Sequence, residues 1–118
     1  MRGANFYIPF HSAGTGITLA QLYSTASYQA HDLSGIRLKG NNLAGVNLVG
    51  QHLSYADFSA YYSYEYYNTG ANLSGANLSD ANLMVANLGG SDLSGAILSK
   101  TNLTRAQLSG VTLRRADL

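Results

Sequence analysis

The sequence predicts an all-β solenoid, a coil of short straight sides and corners, with a short helix at its N-terminal end. Three observations carry this: a large apolar residue at every fifth position, glycine or a small polar residue between them, and a helix-start pattern ahead of the first repeat. From Leu33 to Leu118, eighteen positions stand five apart; fifteen are leucine, one is Phe58, and only Ser63 and Asn68 break the series. A helix wants a period of 3.6 and a strand wants two. Leucines five apart would step by about 140° around a helix and smear over its surface. The spacing works if each repeat is one straight side and one corner. The leucine then points in, its neighbours point out, and the residue two earlier points in beside the corner.

That residue is alanine at 56, 71, 76, 81, 86, 96, 106 and 116, giving a consensus of Ala-Asn/Asp-Leu-Ser-Gly. Glycine at the fifth position, as at Gly35, Gly75 and Gly95, suits a corner with unusual dihedrals. The run A-N-L-S-G-A-N-L-S-D-A-N-L-M-V-A-N-L at 71–88 resembles the pentapeptide-repeat family, and the resemblance covers 31–118. It implies a right-handed quadrilateral β-helix with four repeats per coil, a pentapeptide-repeat solenoid of about four and a half coils and roughly 21 Å. On a 20-residue coil one side would stack Leu33, Leu53, Leu73, Leu93 and Leu113, and the next Leu38, Phe58, Leu78, Leu98 and Leu118. Ser34, Ser54, Ser74 and Ser94 would form one outer ladder, and Asp32, His52, Asn72 and Asp92 another.

Residues 1–30 are expected to form an N-terminal segment with a helical cap. Thr18 followed by Gln21 is a capping-box pattern, and Leu19, Leu22, Tyr23 and Ala26 recur at helical spacing. Such a helix would cover the first coil's edge, otherwise a template for strand pairing. The stretch 17–35 also resembles a connector between repeat blocks of long bacterial pentapeptide-repeat proteins, and Gly3-Ala4-Asn5-Phe6 reads as one more repeat, out of phase. In the first coil His31, Ile36, Asn41, Val46 and Gln51 replace the inward alanine. That coil is therefore wider, or its inward polar groups are met by the N-terminal segment.

The other departure lies at about 59–70, where Tyr61 and Tyr66 take alanine slots and Ser63 and Asn68 take leucine slots. This reads as a bulge or loop leaving the wall, or as two distorted sides that keep the coil in register. Tyr61, Tyr62, Tyr64, Tyr66 and Tyr67, with Glu65 the lone charge among them, suit a contact surface or a cover folded back over the wall. At the C-terminal end the final turn is expected to have only two sides, centred on Leu113 and Leu118, with a bare edge beside Arg114 and Arg115.

Composition narrows the function. The chain has 118 residues, enough for one domain, and 46% of them are apolar, so a packed core is affordable. With 7 Lys/Arg, 6 Asp/Glu and a net charge of +1, binding nucleic acid by charge alone is disfavoured. There is no cysteine, hence no disulfide or thiolate metal site. No stretch approaches a membrane span, and the N-terminus lacks an apolar signal core; the compartment stays open. No catalytic motif is present, and no catalytic residue, cofactor or metal is expected. His11, His31 and His52 are scattered, and His52 over Asp32 reads as a wet surface ladder. The sequons at Asn72, Asn77 and Asn102 are manufactured by the repeat consensus itself.

Two functions follow. The first is a non-enzymatic structural or protein-interaction solenoid whose partner is itself, end to end as a dimer or filament, or another protein. Its candidate contact residues are the five tyrosines named above with Leu113, Arg114, Arg115 and Leu118. The second, implied by the resemblance, is an inhibitory DNA mimic of a topoisomerase such as gyrase. That role goes with a strongly acidic rod, which a net charge of +1 disfavours.

Overall fold

The computed structural model describes residues 4–5, 16–60 and 70–118. The wall is made of isolated parallel bridges, one per five-residue side, rather than extended strands. A corner at each end of so short a side leaves room for one bridging residue. Asp32, His52, Asn82 and Asn102 form one column, and Arg37, Asp57, Asn87 and Gln107 the second. Asn42, Asn72, Asp92 and Thr112 form the third, and Asn47, Asn77, Ile97 and Asp117 the fourth. Four columns make the coil four-sided.

The register corrects the expected stacks. Arg37 pairs with Asp57, 20 residues on, but Asn42 pairs with Asn72 and Asp57 with Asn87, 30 residues on. Leu73 therefore follows Leu43 instead of Leu53, and Leu83 follows Leu53. Leu93 and Leu113 continue the column of Leu43, while Leu78, Leu98 and Leu118 continue that of Leu48. The outer ladders shift likewise: His52 is followed by Asn82, and Asn72 and Asp92 belong with Asn42. A slip of ten residues leaves a period of five unchanged, so leucine spacing carries no trace of it. At the corner that spans the gap, the Ala71 N–H donates to the Phe58 carbonyl at 2.8 Å, the turn bond that Ala56 makes to Leu53 at 3.0 Å. Residues 61–69 lie outside the described residues.

Counting along these columns corrects the end as well. The described sides make four coils rather than four and a half. The last coil has all four sides, on Leu103, Leu108, Leu113 and Leu118, instead of two.

One repeat shows why the consensus has each of its residues. The Ala81 N–H closes the corner on the Leu78 carbonyl (3.0 Å), and the Asn82 N–H donates to Gln51 in the preceding coil (3.0 Å). Leu83 and Val85 donate to Asn102 and Thr104 in the following coil (2.8 and 2.9 Å). That leaves the Met84 N–H, which donates to the Asn82 Oδ1 at 3.1 Å. The Asn/Asp slot is thus a backbone acceptor, completing the pairing of a group that the ladder misses. Where serine follows, its hydroxyl donates to the same oxygen, as from Ser74 to Asn72 at 2.7 Å.

Inside, the repeat leucines from Leu33 to Leu88, Phe58 and the alanines at 56, 71, 76, 81, 86 and 96 are fully buried. Each large side chain contributes about 1.5–3 kcal/mol by leaving water. At the N-terminal end are two short helices, α1 (Leu19–Tyr23) and α2 (Ala26–Gln29). α1 carries the expected capping box between Thr18 and Gln21, and Leu22 is buried in the same apolar cluster as the wall leucines. Two inward polar groups of the first coil are met from this segment, while the buried Gln51 Oε1 has no partner among the described residues. Asn41 Oδ1 accepts the Ile17 N–H at 3.0 Å, and Gln51 Nε2 donates to the Tyr28 carbonyl at 3.0 Å.

Candidate interaction site on the last coil

Each coil offers its successor the N–H groups of its leucine and corner positions and the carbonyl of its alanine slot. In the last coil these are the N–H groups of Leu103, Arg105, Leu108, Gly110, Leu113, Arg115 and Leu118. None has a backbone partner among the described residues. Beneath them the leucines emerge: Leu108 and Leu113 are 41% and 40% exposed and Leu118 is 78% exposed, against zero for Leu83 and Leu88. Arg105, Arg114 and Arg115 stand on the same coil, where Asp117 is the only acidic side chain. The site is an apolar floor edged by backbone donors and a cationic rim.

Of the residues expected to make contact, the structure brings together Leu113, Arg114, Arg115 and Leu118. Leu103 and Leu108 join them, missed because the final turn was counted as two sides. The correct count could have been had only by placing the ten-residue slip. Tyr61, Tyr62, Tyr64, Tyr66 and Tyr67 lie outside the described residues. Their frame is visible: Ala60 donates to the Gly89 carbonyl at 2.9 Å and Gly70 to the Gly90 carbonyl at 3.0 Å. A Cβ on Gly70 would stand 2.7 Å from the Ser91 nitrogen, so glycine is required for that approach.

The first coil's outer face differs. The Asp32 N–H donates to the Ser27 carbonyl (2.9 Å) and the Arg37 N–H to the Ala4 carbonyl (2.8 Å). Asn5 bridges Arg37 in parallel, as one repeat bridges another. The Asn47 N–H donates to the Tyr23 hydroxyl (2.9 Å) and the Asn47 carbonyl accepts from the Tyr28 hydroxyl (2.8 Å). Those two rings lie 4.9 Å apart. Burial, with Tyr23 beside it, raises the Tyr28 pKa.

Comparison with known proteins agrees with this architecture. The family model described as pentapeptide repeats matches in 8 copies, over residues 32–60, 69–99 and 81–118. A pentapeptide repeat protein from the Arabidopsis thaliana thylakoid lumen is 34% identical, with a TM-score of 0.63 over 72% of this chain and 52% of that one. This chain thus spans about half the length of that protein. A pentapeptide repeat protein from Nostoc PCC 7120 is 30% identical over 96% of this chain and 79% of its own, with a TM-score of 0.44. One from the cyanobacterium Cyanothece 51142 is 32% identical over 73% and 59%, with a TM-score of 0.42. No curated protein matches the sequence.

Proposed function

Because the chain belongs to the pentapeptide-repeat family, we propose that it is a non-enzymatic protein-interaction solenoid that self-associates end to end through its last coil. The observation that supports this reading is the asymmetry of its two ends. Bridge positions on the first face find partners in Ala4, Ser27 and the two tyrosines, whereas the last face exposes leucines beside backbone donors. An edge of that kind pairs with another edge, a further coil of the same chain and a second copy alike. With the first face occupied, pairing of two last faces about a two-fold axis is favoured over a head-to-tail filament.

The same reading divides the chain into an N-terminal segment, 1–30, and a solenoid, 31–118, with the right-handed sense that the family implies. It makes α1 and α2 the cap of the first coil. It also takes the segment expected at about 59–70 out of the wall as a loop, supported by the ten-residue gap in the bridge register, but with Ala60 and Gly70 keeping their bonds to the next coil. The test is particle mass by sedimentation, for the chain and for the double variant Leu113→Lys, Leu118→Lys. Association of the parent above micromolar concentration, lost in the variant, is the expected result. A parent that is monomeric throughout, or an oligomer indifferent to both lysines, would refute it.

A further inference from the structure

We propose that Tyr23 and Tyr28 are a site of oxidative modification, a phenol pair held so that a one-electron oxidant couples the two rings into a dityrosine clip between α1 and α2. This rests on the N-terminal segment and the first coil and does not depend on self-association. The ring centroids lie 4.9 Å apart at 46°, a separation at which ring carbons touch. Both hydroxyls end on one residue: Tyr23 Oη accepts the Asn47 N–H at 2.9 Å, and Tyr28 Oη donates to the Asn47 carbonyl at 2.8 Å. That shared anchor brings the carbons beside the oxygens, where phenoxyl radicals couple, to the same end of the pair. Both rings are half-buried, so a dissolved oxidant reaches them.

The turn between the helices is fixed from both sides. Thr25 Oγ1 donates to the Leu22 carbonyl (2.8 Å) and accepts the Tyr28 N–H (3.1 Å), and Gln29 Nε2 donates to the Tyr23 carbonyl (2.8 Å). Coupling is thus a reaction between two groups already in contact, which outpaces encounter with a separate phenol. Composition directs the oxidation to phenols as well. The chain has 9 tyrosines but no cysteine and no tryptophan, and its methionines take up oxygen to give sulfoxide instead of coupling. Each phenol gives up one electron and its hydroxyl proton. The two radicals then form one carbon–carbon bond, and the hydrogens on the joined carbons move to the oxygens, restoring both phenols. Hydrogen peroxide acting through a haem peroxidase takes the two electrons and two protons and becomes two waters. The product keeps the two hydroxyls that hold Asn47.

The experiment oxidises the full chain, dilute, with photogenerated ruthenium(III) and persulfate, once in buffer and once in denaturing urea, and maps the links by tandem mass spectrometry. Persulfate takes the two electrons here, and the solvent takes the two protons. In buffer, a product two hydrogens lighter that joins Tyr23 to Tyr28 is expected. It should exceed at least tenfold the links from either residue to Tyr55, which is 65% exposed. In urea its yield should fall at least fivefold, because the sequence separation is unchanged and only the folded contact is gone. The assignment is overturned if Tyr23 and Tyr28 are recovered unlinked, if they join Tyr55 as often as each other, or if the link forms equally in buffer and in urea.

Discussion

At the scale of single residues, the corner position governs how well each repeat fits. Its backbone is left-handed, which glycine adopts freely and an L side chain adopts at a cost of about 1–2 kcal/mol. Tyr55, Asp80, Val85, Lys100, Arg105 and Arg115 all stand there with φ between 57 and 61. Val85, at φ 60, is the poorest fit, because a β-branched side chain crowds this conformation from both sides of its Cβ. Asparagine tolerates it best among residues that keep a Cβ. Val85→Asn should therefore raise stability by about 1 kcal/mol, and the melting temperature by several degrees. A chemical denaturation series measures this directly. An unchanged or lowered midpoint would mean that the valine side chain gains more from its neighbours on the wall than its backbone loses.

At the scale of the repeat, the sequence made the sides and corners legible but not how they stack. Fifteen leucines on eighteen slots fix which residues face inward, since no other arrangement buries them together. The same regularity hides the register: Leu73 looks equally good over Leu53 or over Leu43, and only backbone pairing chooses Leu43. The acceptor role of the Asn/Asp slot was hidden too, because an outward polar residue reads as solvated until the N–H groups are counted. The slip at 61–70 has a consequence. If 61–69 stand outside the wall and Gly70 only rejoins it beside Gly90, removing 61–70 should leave an unbroken 20-residue coil with Ala71 directly after residue 60. That corner position is left-handed in the neighbouring coils, at Gly40 and Gly90, so Ala60→Gly belongs in the same variant. The deletion should retain the circular dichroism and cooperative melting of the parent, at equal or higher temperature, because a shorter connection loses less entropy on closure. Loss of cooperative folding would show that these residues form part of the core.

At the scale of the whole molecule, the hydrogen-bonding polarity of the coil decides how copies can meet. The last face presents seven N–H groups, at Leu103, Arg105, Leu108, Gly110, Leu113, Arg115 and Leu118, but only four alanine-slot carbonyls, at Thr101, Ala106, Val111 and Ala116. Two such faces together hold more donors than acceptors, and they set arginines against arginines, so their pairing is incomplete and should strengthen as salt screens the rim. A first face has the complementary excess of carbonyls, which is how every coil inside the wall satisfies the one before it. In the proposed reading the N-terminal segment covers that face, held by Leu22 in the apolar cluster and by the tyrosine bonds to Asn47. Leu22→Asp places a carboxylate where Leu22 is fully buried, which should undock α1 and α2 while the bonds between coils remain. The variant should then grow past a dimer, its mass rising steadily with concentration in light scattering as last faces find first faces. Adding Leu118→Lys should stop that growth. A Leu22→Asp protein that keeps its solenoid circular dichroism yet has the parent's mass at every concentration would show that the N-terminal segment does not limit assembly.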